Sequence, residues 1–394
     1  MKILYISLNI AESQHGAGGW IRTINILKQF QNSKIDLDIL TTEKGKFLLE
    51  KEGINKFNYI VLQNKILELP KTGTRLIIFF NWLIYLINFI LFKKKLNLKE
   101  YKFVYSDSDF FIDIIPNLII AKSNKCLNGC AIHHFVTINN LKLDQIFHNF
   151  VSLFIQKLSF QFIKKFDAVF VYKNPEGIKI ESCLRTKYNF RGKIHKMYNG
   201  IDIKTLDYIY NSKIKKKNHD ILFYGAARRN KGFYDLIEIF NLVLKFNKQA
   251  KLNIAGMLGN SEILYIKSRI KKYNLKNKIK ILGYLKEKEK LTNIKSSQVI
   301  IFPSYNEGWG ISIMESRYLN PNVVCYNLKS LTQIHKKNIY FAKIGNKEDF
   351  ANKIILLLKT NKVLINNYIK KYNWRNCADM DITFIKALIF KYSY

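Results

Sequence analysis

Cysteine is scarce in this chain of 394 residues, and none of its five cysteines stands in a Cys-X-X-Cys pair. An odd number of scattered cysteines does not suit a disulfide framework, so a reduced, cytosolic compartment fits best. The apolar run over residues 1–8 is too short for a signal peptide, and no small-residue cleavage site follows it. We therefore interpret this run as a buried first strand.

Acidic residues are also few, since 29 Asp and Glu face 65 Lys and Arg for a formal charge of +36. The excess occurs in both halves of the chain and suits anionic partners such as phosphates, acidic lipid surfaces or nucleic acid. A compositional bias toward Lys, Asn and Ile would produce the same excess. No nucleic-acid motif accompanies the charge, and the aromatic residues stand in apolar runs, so we expect no nucleic-acid partner.

The chain has one long uncharged run, residues 76–92, with basic residues at both ends. Its 17 residues fall short of the ~20 that a full membrane span needs. Asn81, Tyr85 and Asn88 would share one helical face, and such a polar stripe argues against a helix surrounded by lipid. Either a helix in the membrane interface or a helix packed on a sheet would fit, and the flanking charges favour membrane contact. Residues 146–166 could extend such a surface or belong to the core.

Short apolar strand patterns alternate with helical patterns along the chain, which is typical of βαβ units. Two such series predict two Rossmann-like, doubly wound α/β domains that face each other across a cleft, with ligands beyond the carboxyl ends of the strands. The break should fall near residues 203–218, where four lysines interrupt the apolar pattern. We expect strands near residues 2–8, 35–41, 57–62, 101–106, 127–133, 167–172 and 193–198, and then near 220–225, 251–255, 278–282, 298–302 and 322–326.

Residues 303–315 carry the strongest functional signal. Glu307 follows a predicted strand, Gly308 and Gly310 let the backbone approach a ligand closely, and Glu315 lies in the helix that follows. A carboxylate can accept hydrogen bonds from sugar hydroxyls, and the amides at a helix N-terminus suit an anion. The segment therefore predicts a site for a sugar nucleotide in preference to a turn with surface glutamates.

A basic turn lies between a predicted strand and a helix expected to begin near Phe233. Arg228, Arg229 and Lys231 stand in this turn. Cations at a helix N-terminus are typical of a diphosphate site, because the charges act together with the free amides. A solvated basic turn is the alternative, and either arginine could serve.

Two further features precede the predicted break. Gly18 and Gly19 open a helix, but their spacing does not match the dinucleotide fingerprint, which disfavours a nicotinamide enzyme. His133 and His134 end a strand and would point to opposite sides, so one of them could face the cleft. No third ligand stands at a matching spacing for a metal site. The segment Asp107-Ser108-Asp109 matches an Asp-X-Asp metal motif, but its place before an apolar helix favours capping.

In this order, these residues resemble a retaining glycosyltransferase of the GT-B fold, family 4 type (glycosyl transferases group 1). The resemblance covers essentially the whole chain. Glu307 to Glu315 is similar to the family's E-x7-E signature, residues 199–202 to its "NGVD" segment, and Gly225 with Lys231-Gly232 to its "GR…KG" element. It implies an acceptor-side domain over 1–203, a donor-binding domain over 204–374, and a last helix over 375–394 that crosses back to the first domain.

The resemblance also implies the roles of the site residues. Lys231 with Arg228 or Arg229 would hold the diphosphate, and Glu315 would hold the ribose. Glu307 with the amides of Gly308, Trp309 and Gly310 would hold the donor sugar, Tyr284 would flank the base, His133 would lie near the reacting sugar, and Gly18 and Gly19 would contact the donor. No metal or other cofactor is implied. The family's Arg after Gly225 is Ala226 here, and its Asp after the histidine is His134.

The expected reaction is transfer of a sugar from a nucleoside-diphosphate-sugar, with retention, to a lipid-linked or cell-envelope glycan. His133, Glu307 and Lys231 are the expected catalytic residues. We expect the protein to be cytoplasmic and to attach peripherally to the anionic surface of the membrane on its cytoplasmic face. A sugar-nucleotide epimerase on the same fold is the alternative, followed by a nucleic-acid-binding protein.

Overall fold

The structure of this chain is a computed structural model that describes residues 1–9, 18–33, 35–63, 75–96, 98, 100–135, 143–335, 339–360 and 367–392. The chain divides into two compact units. Unit 1 comprises Met1–Gly200 with Trp374–Tyr394, and unit 2 comprises Ile201–Asn373. Each unit contains one parallel sheet, which confirms the prediction of two doubly wound α/β domains.

The sheet of unit 1 has seven strands in the order β3-β2-β1-β4-β5-β6-β7. All seven strands predicted from the apolar runs are present. The five inner strands are buried almost throughout, as expected for a parallel sheet with both faces covered, whereas the two edge strands are partly exposed. They are β1 (Lys2–Ile6), β2 (Asp36–Thr42), β3 (Asn58–Leu62), β4 (Phe103–Ser106), β5 (Leu127–Ile132), β6 (Ala168–Tyr172) and β7 (Lys193–Met197).

Six helices alternate with these strands in the described part of residues 1–200. One of them, α6, begins after Asn174, whose side chain accepts a hydrogen bond from the Gly177 amide, with proline at the first helical position. The helices are α1 (Gly18–Gln31), α2 (Glu43–Lys51), α3 (Arg75–Phe92), α4 (Phe111–Asn124), α5 (Leu143–Ile163) and α6 (Pro175–Tyr188).

The uncharged run forms α3, and its two faces differ in an unexpected way. The polar stripe of Asn81, Tyr85 and Asn88 is buried. An apolar stripe is exposed instead, with Phe80, Ile87, Ile90 and Leu91 between 44% and 61% accessible. Among the described residues, no helix is long and apolar enough to cross a bilayer. The helix therefore packs on the core by one face and presents apolar side chains on the other.

Unit 2 has a six-stranded parallel sheet in the order β10-β9-β8-β11-β12-β13. The five strands predicted for this half are present, and a sixth was missed because it is only three residues long. The strands are β8 (Lys217–Tyr224), β9 (Lys251–Ala255), β10 (Ile279–Gly283), β11 (Ser297–Phe302), β12 (Val323–Tyr326) and β13 (Tyr340–Ala342).

The helices of unit 2 include one in the stretch where the sequence suggested a break. This helix, α7 (Ile203–Asn211), buries Leu206 and Ile209. Short 3-10 turns at Arg229–Lys231 and Phe233–Asp235 precede α8, so this helix begins later than expected. The others are α8 (Leu236–Phe246), α9 (Asn260–Lys272), α10 (Glu287–Ser296), α11 (Ile311–Leu319), α12 (Lys329–Ile334) and α13 (Lys347–Leu358).

The last helix, α14 (Trp374–Tyr392), belongs to unit 1 and packs against α1 and β7. A buried charge cluster fastens it there. Arg22 of α1 forms an ion pair with Asp381 of α14, and His195 of β7 lies 2.9 Å from the other carboxylate oxygen. Burial raises the pKa of Asp381, but Arg22 and His195 outweigh it and hold this pKa below its usual value.

Candidate functional site

Two loops of unit 2 leave the sheet side by side. Strands β8 and β11 are hydrogen-bonded neighbours, although three helices and two strands separate them in the chain. The chain builds β9 and β10 on one side of β8 and then β12 and β13 on the far side of β11. This reversal of strand order opens a crevice at the carboxyl ends of the two strands, which is where parallel α/β sheets bind ligands.

The basic turn after β8 and the glutamate loop after β11 are bound to each other across this crevice. The Asn230 carbonyl accepts hydrogen bonds from the amides of Tyr305 (2.8 Å) and Asn306 (3.2 Å). The Lys231 ammonium lies 2.7 Å from Glu307 Oε1, and the Glu307 side chain is only 12% exposed. The structure thus brings together the two segments that the sequence assigned to phosphate and to sugar.

Two glycines make this close approach possible. Gly232 has φ +68°, and a Cβ there would lie 1.9 Å from the Pro303 carbonyl oxygen. Gly310 has φ +75° and directly precedes the first residue of α11. Only glycine adopts such conformations readily, so the basic turn can contact the glutamate loop and the N-terminus of α11 can begin beside it.

Glu315 of α11 is paired with a lysine that sequence reasoning missed. Lys290 Nζ lies 2.9 Å from Glu315 Oε2 and 2.8 Å from Glu287 Oε1. The same ammonium stands 5.6 Å from the centre of the Tyr224 ring at the end of β8. Lys290 shares the buried face of α10 with Ile294, four residues later. A lysine at an otherwise apolar helical position was the signal in the sequence that could have identified it.

Electrostatics couple these groups. Burial raises the pKa of Glu315, and Lys290 opposes that shift. Burial by itself would lower the pKa of Lys290, but the charges of Glu315 and Glu287 raise it above its usual value. Glu315 and Lys290 therefore favour each other's charged form.

Three further donor-side residues predicted in unit 2 are exposed, whereas the predicted Trp309 is buried. Arg228 and Arg229 are both exposed, and the Arg229 guanidinium stands 5.4 Å from the centre of the Tyr234 ring. Tyr284 follows Gly283 at the end of β10 and is 73% exposed. An exposed aromatic ring beside a glycine has room to stack on a planar ligand.

In unit 1, the structure brings the glycine loop and the first histidine together. A Cβ on Gly19 would lie 3.7 Å from the His133 ring. His133 Nε2 lies 2.7 Å from the Asp107 carbonyl and Nδ1 lies 3.0 Å from the Tyr172 hydroxyl. A carbonyl only accepts, so Nε2–H donates to it and Nδ1 accepts from Tyr172. Burial lowers the pKa of His133 to about 3, which keeps the ring neutral.

His134 differs from its neighbour. Its side chain is 62% exposed, and Nδ1 stands 3.7 Å from Glu176 Oε1. Gly18, at the first position of α1, has no atoms near the place of its missing Cβ. Residues 15–17 of the glycine loop lie outside the described residues.

The prediction that Asp107 or Asp109 caps the following helix is wrong. The residue at the capping position of α4 is Phe110, which makes no side-chain capping bond. Asp107 instead accepts a hydrogen bond from the Ser7 hydroxyl at 2.7 Å, and Asp109 accepts one from the Gln156 amide at 2.9 Å. Buried carboxylates need such partners. Across the described parts of the chain, no three His, Cys, Asp or Glu side chains are grouped as a metal site would require.

Comparison with known proteins agrees with this geometry. Residues 207–373, which lie inside unit 2, match the family model described as "Glycosyl transferases group 1". Unit 2 therefore carries a domain of this family. The match includes both loops of the crevice, with Lys231, Glu307 and Glu315.

Two similar proteins have names that refer to O-antigen and to capsular polysaccharide. The O-antigen chain mannosyltransferase RfbU of Salmonella typhimurium is 21% identical over 58% of this chain. The capsular polysaccharide biosynthesis glycosyltransferase CapH of Staphylococcus aureus is 24% identical over 48% of this chain. The matched regions cover only 63% and 52% of those two proteins.

The solved structure of Anabaena Alr3699/HepE in complex with UDP-glucose has a TM-score of 0.64 with this chain, at 14% identity and over 100% and 99% of the two chains. A likeness at this identity concerns the fold. It confirms the predicted GT-B fold class for this chain.

Proposed function

We propose that this chain, whose residues 207–373 form a glycosyl transferases group 1 domain, transfers a sugar from a nucleoside-diphosphate-sugar to a cell-envelope glycan with retention at the anomeric carbon. The ion pair of Lys231 and Glu307 at the crevice between β8 and β11 is the observation that carries this proposal. It places a phosphate-binding cation beside a carboxylate that suits sugar hydroxyls, at the edge of the sheet where ligands bind.

The proposed chemistry depends on the leaving group. As the bond from the anomeric carbon to the diphosphate oxygen breaks, negative charge develops on that oxygen, and Lys231 with Arg228 or Arg229 stabilises it. The acceptor oxygen attacks from the same face, and its proton passes to the departing phosphate. These cations supply the charge, so the proposal includes no metal ion.

Glu307 and Glu315 bind the donor in this scheme. Glu307 accepts hydrogen bonds from the sugar hydroxyls, and the amides of Gly308, Trp309 and Gly310, directly before α11, help to bind the sugar. Glu315 accepts from the ribose hydroxyls, and Tyr284 stacks on the base. The expectation that His133 is catalytic stays a prediction. In unit 1 both of its ring nitrogens are hydrogen-bonded, so the proposal gives it the role of a neutral, oriented ring.

The names of the similar proteins support the substrate classes. RfbU and CapH are named for O-antigen and capsule, which supports an envelope glycan as acceptor. HepE was crystallised with UDP-glucose, which supports a uridine nucleotide as the first donor to test. We propose that the acceptor is lipid-linked, because unit 1 exposes a surface suited to lipid.

Helices α3 and α5 pack against each other. The surface consists of the exposed apolar side chains of these two helices, and we call it the α3–α5 face. Phe154 and Leu158 of α5 are 58% and 39% exposed, in addition to the apolar stripe of α3. Three lysines close to these side chains in the sequence are also exposed, namely Lys94, Lys157 and Lys165. Apolar side chains with nearby lysines suit an anionic bilayer surface, where each lysine adds ~1 kcal/mol. Anionic lipids are typical of the cytoplasmic leaflet, so we propose peripheral attachment there.

The first test is thermal melting of the full chain with UDP, GDP, ADP and their glucose derivatives. A ligand that binds only the folded protein raises the melting temperature. We expect one nucleoside diphosphate to do so in the wild type and to fail in Lys231→Ala. The proposal is wrong if none of these ligands stabilises the wild type.

The same samples separate the alternatives. A transferase releases nucleoside diphosphate when a glycan acceptor is added. An epimerase would convert the nucleotide sugar without any acceptor. Salt-sensitive binding of random RNA, with no response to nucleotide sugars, would indicate a nucleic-acid-binding protein.

A further inference from the structure

We propose that Lys290 is a positioning residue that keeps Glu315 ionised and oriented as the acceptor for the ribose hydroxyls of the donor. This inference rests on the proposed function, since it assigns Glu315 to a nucleotide. It adds a residue that no motif identified and makes a specific statement about how this site depends on pH.

The geometry around Glu315 is that of a buried carboxylate in acidic surroundings. Its side chain is only 14% exposed, and the negative charges of Glu287 and Asp202 act on it. Lys290 is the cation that contacts it, through Oε2 at 2.9 Å. The bond from Lys290 uses Oε2, and we assign Oε1 to a hydroxyl of the ligand.

The ionised state of Glu315 matters for recognition. A carboxylate accepts hydrogen bonds through both oxygens, whereas a protonated carboxyl group carries a donor in place of one acceptor. The two hydroxyls of a ribose are donors to such a group. Without Lys290, burial and the like charges of Glu287 and Asp202 would favour protonation, and the ribose would lose its partner.

Stability gives no comparable reason for a lysine at this position. A buried ion pair costs desolvation of two charges, and an apolar side chain of similar volume often stabilises a fold as well or better. Leu291 and Ile294, which are buried on α10 as Lys290 is, are apolar. A buried cation beside Glu315 is therefore better explained by the ligand than by the fold.

The test compares Lys290→Met with Lys288→Met, an exposed lysine on the same helix. Calorimetric titrations with UDP and with 2′-deoxy-UDP, or with the base that the melting screen selects, are run at about pH 6, pH 7.5 and pH 9. We expect the wild type and Lys288→Met to prefer the ribonucleotide at all three. Lys290→Met should approach wild-type affinity at high pH and lose about tenfold for each pH unit below the raised pKa of Glu315. Its preference for the ribonucleotide should disappear over the same range.

A purely structural lysine would give a different result. Lys290→Met would then weaken both nucleotides equally at every pH, and that outcome overturns the inference. If the wild type binds no nucleoside diphosphate at all, the proposed function fails instead.

Glu287→Gln provides a second test that does not remove the buried lysine. Glu287 is 63% exposed, so the variant should fold. The substitution removes a negative charge near Glu315, and Lys290 then has Glu315 as its one charged partner of the two. Both changes favour the ionised form of Glu315, so UDP binding should persist to lower pH than in the wild type. An unchanged pH profile would contradict electrostatic control of Glu315.

Discussion

The Lys231 ammonium and the Glu307 carboxylate, 76 residues apart in the chain, lie 2.7 Å from each other. The Ser304 hydroxyl donates to the same carboxylate oxygen at 3.0 Å, so Glu307 is held from two directions. The group proposed for phosphate and the group proposed for sugar are therefore paired with each other. A bound nucleotide sugar would replace this ion pair with its own charge and hydroxyls.

Replacing Lys231 and replacing Glu307 should have different effects on the transfer rate and on nucleotide affinity. Lys231→Ala should lower the transfer rate by ~100-fold or more, because it removes charge stabilisation of the leaving diphosphate. Glu307→Gln should leave UDP affinity equal or higher, since Lys231 loses a competing anion, while the added affinity of the sugar moiety is lost. Calorimetry with UDP and UDP-glucose, together with transfer rates, measures both. Wild-type transfer rates in both Lys231→Ala and Glu307→Ala would show that this pair is not the donor site.

The two exposed arginines of the basic turn are the candidates for the diphosphate. The Arg229 guanidinium lies over the Tyr234 ring, so moving it onto a phosphate forfeits that contact. Replacing the arginine that binds the diphosphate by Ala should lower nucleoside diphosphate affinity by ~10-fold, as expected for loss of a charge-assisted hydrogen bond, and replacing the other should lower it less. Titration of Arg228→Ala and Arg229→Ala with UDP decides between them, and wild-type affinity in both variants would exclude both arginines from the phosphate site.

Gly232 should be intolerant of a side chain. Gly232→Ala places a Cβ 1.9 Å from the Pro303 carbonyl oxygen in a backbone conformation with φ +68°, so the turn must move. Strain of this kind costs about 1–3 kcal/mol before the clash is counted. The melting temperature should fall clearly, whereas Gly18→Ala, which meets no atom within 4 Å, should leave it nearly unchanged. Equal melting temperatures for both variants would show that the turn relaxes freely.

The last helix should depend on its buried aspartate. Asp381→Asn leaves the Arg22 charge buried without its partner, which should cost about 3–5 kcal/mol. Asp379→Asn, on the same helix at a side chain that is 65% exposed, should cost little. Urea unfolding at neutral pH measures the difference, and similar losses in the two variants would contradict the role of the ion pair.

The same variant has a defined pH dependence. The pKa of Asp381 is lowered in the folded protein, so its contribution is present above the unfolded value of about 3.9 and is lost as pH falls through the folded value. The gap in unfolding free energy between wild type and Asp381→Asn should therefore be wide at neutral pH and narrow in acid. A difference in unfolding free energy that widens in acid would show that the pKa of Asp381 is raised, not lowered, in the folded protein.

The α3–α5 face should bind anionic bilayers. In flotation at low salt, the wild type should rise with vesicles of phosphatidylglycerol and phosphatidylcholine and less with phosphatidylcholine alone, because its lysines need anionic lipid. Replacing Ile87 and Leu91 by Asp should abolish flotation, since both side chains are exposed and apolar. Ile178→Asp on α6, which is 55% exposed, is the matched control. Flotation that survives the double variant would place the contact elsewhere.

Local patterns were sufficient for much of the fold and for part of the site. The parallel strands were predicted because short segments with apolar residues alternate with helical patterns, and only β13, with three residues, gave too little signal. The glutamate loop and the basic turn were located for a similar reason, since their glycines and charges stand close together in the chain. Those features depend on residues that are close together in the chain, and such patterns can be recognised in a sequence.

Contacts between distant residues were not visible in this way. The sequence showed that Asn81, Tyr85 and Asn88 share a face of α3, but not that this face is the buried one. Asp107 looked like a helix cap until the fold brought Ser7 to it. Helical periodicity and strand length depend on neighbouring residues, so the elements, their alternation and the two motif loops were predictable from the order of the amino acids. Only the order of strands in the sheet decided that Lys231 meets Glu307 and Lys290 meets Glu315, because crossover connections place residues together regardless of their separation in the chain.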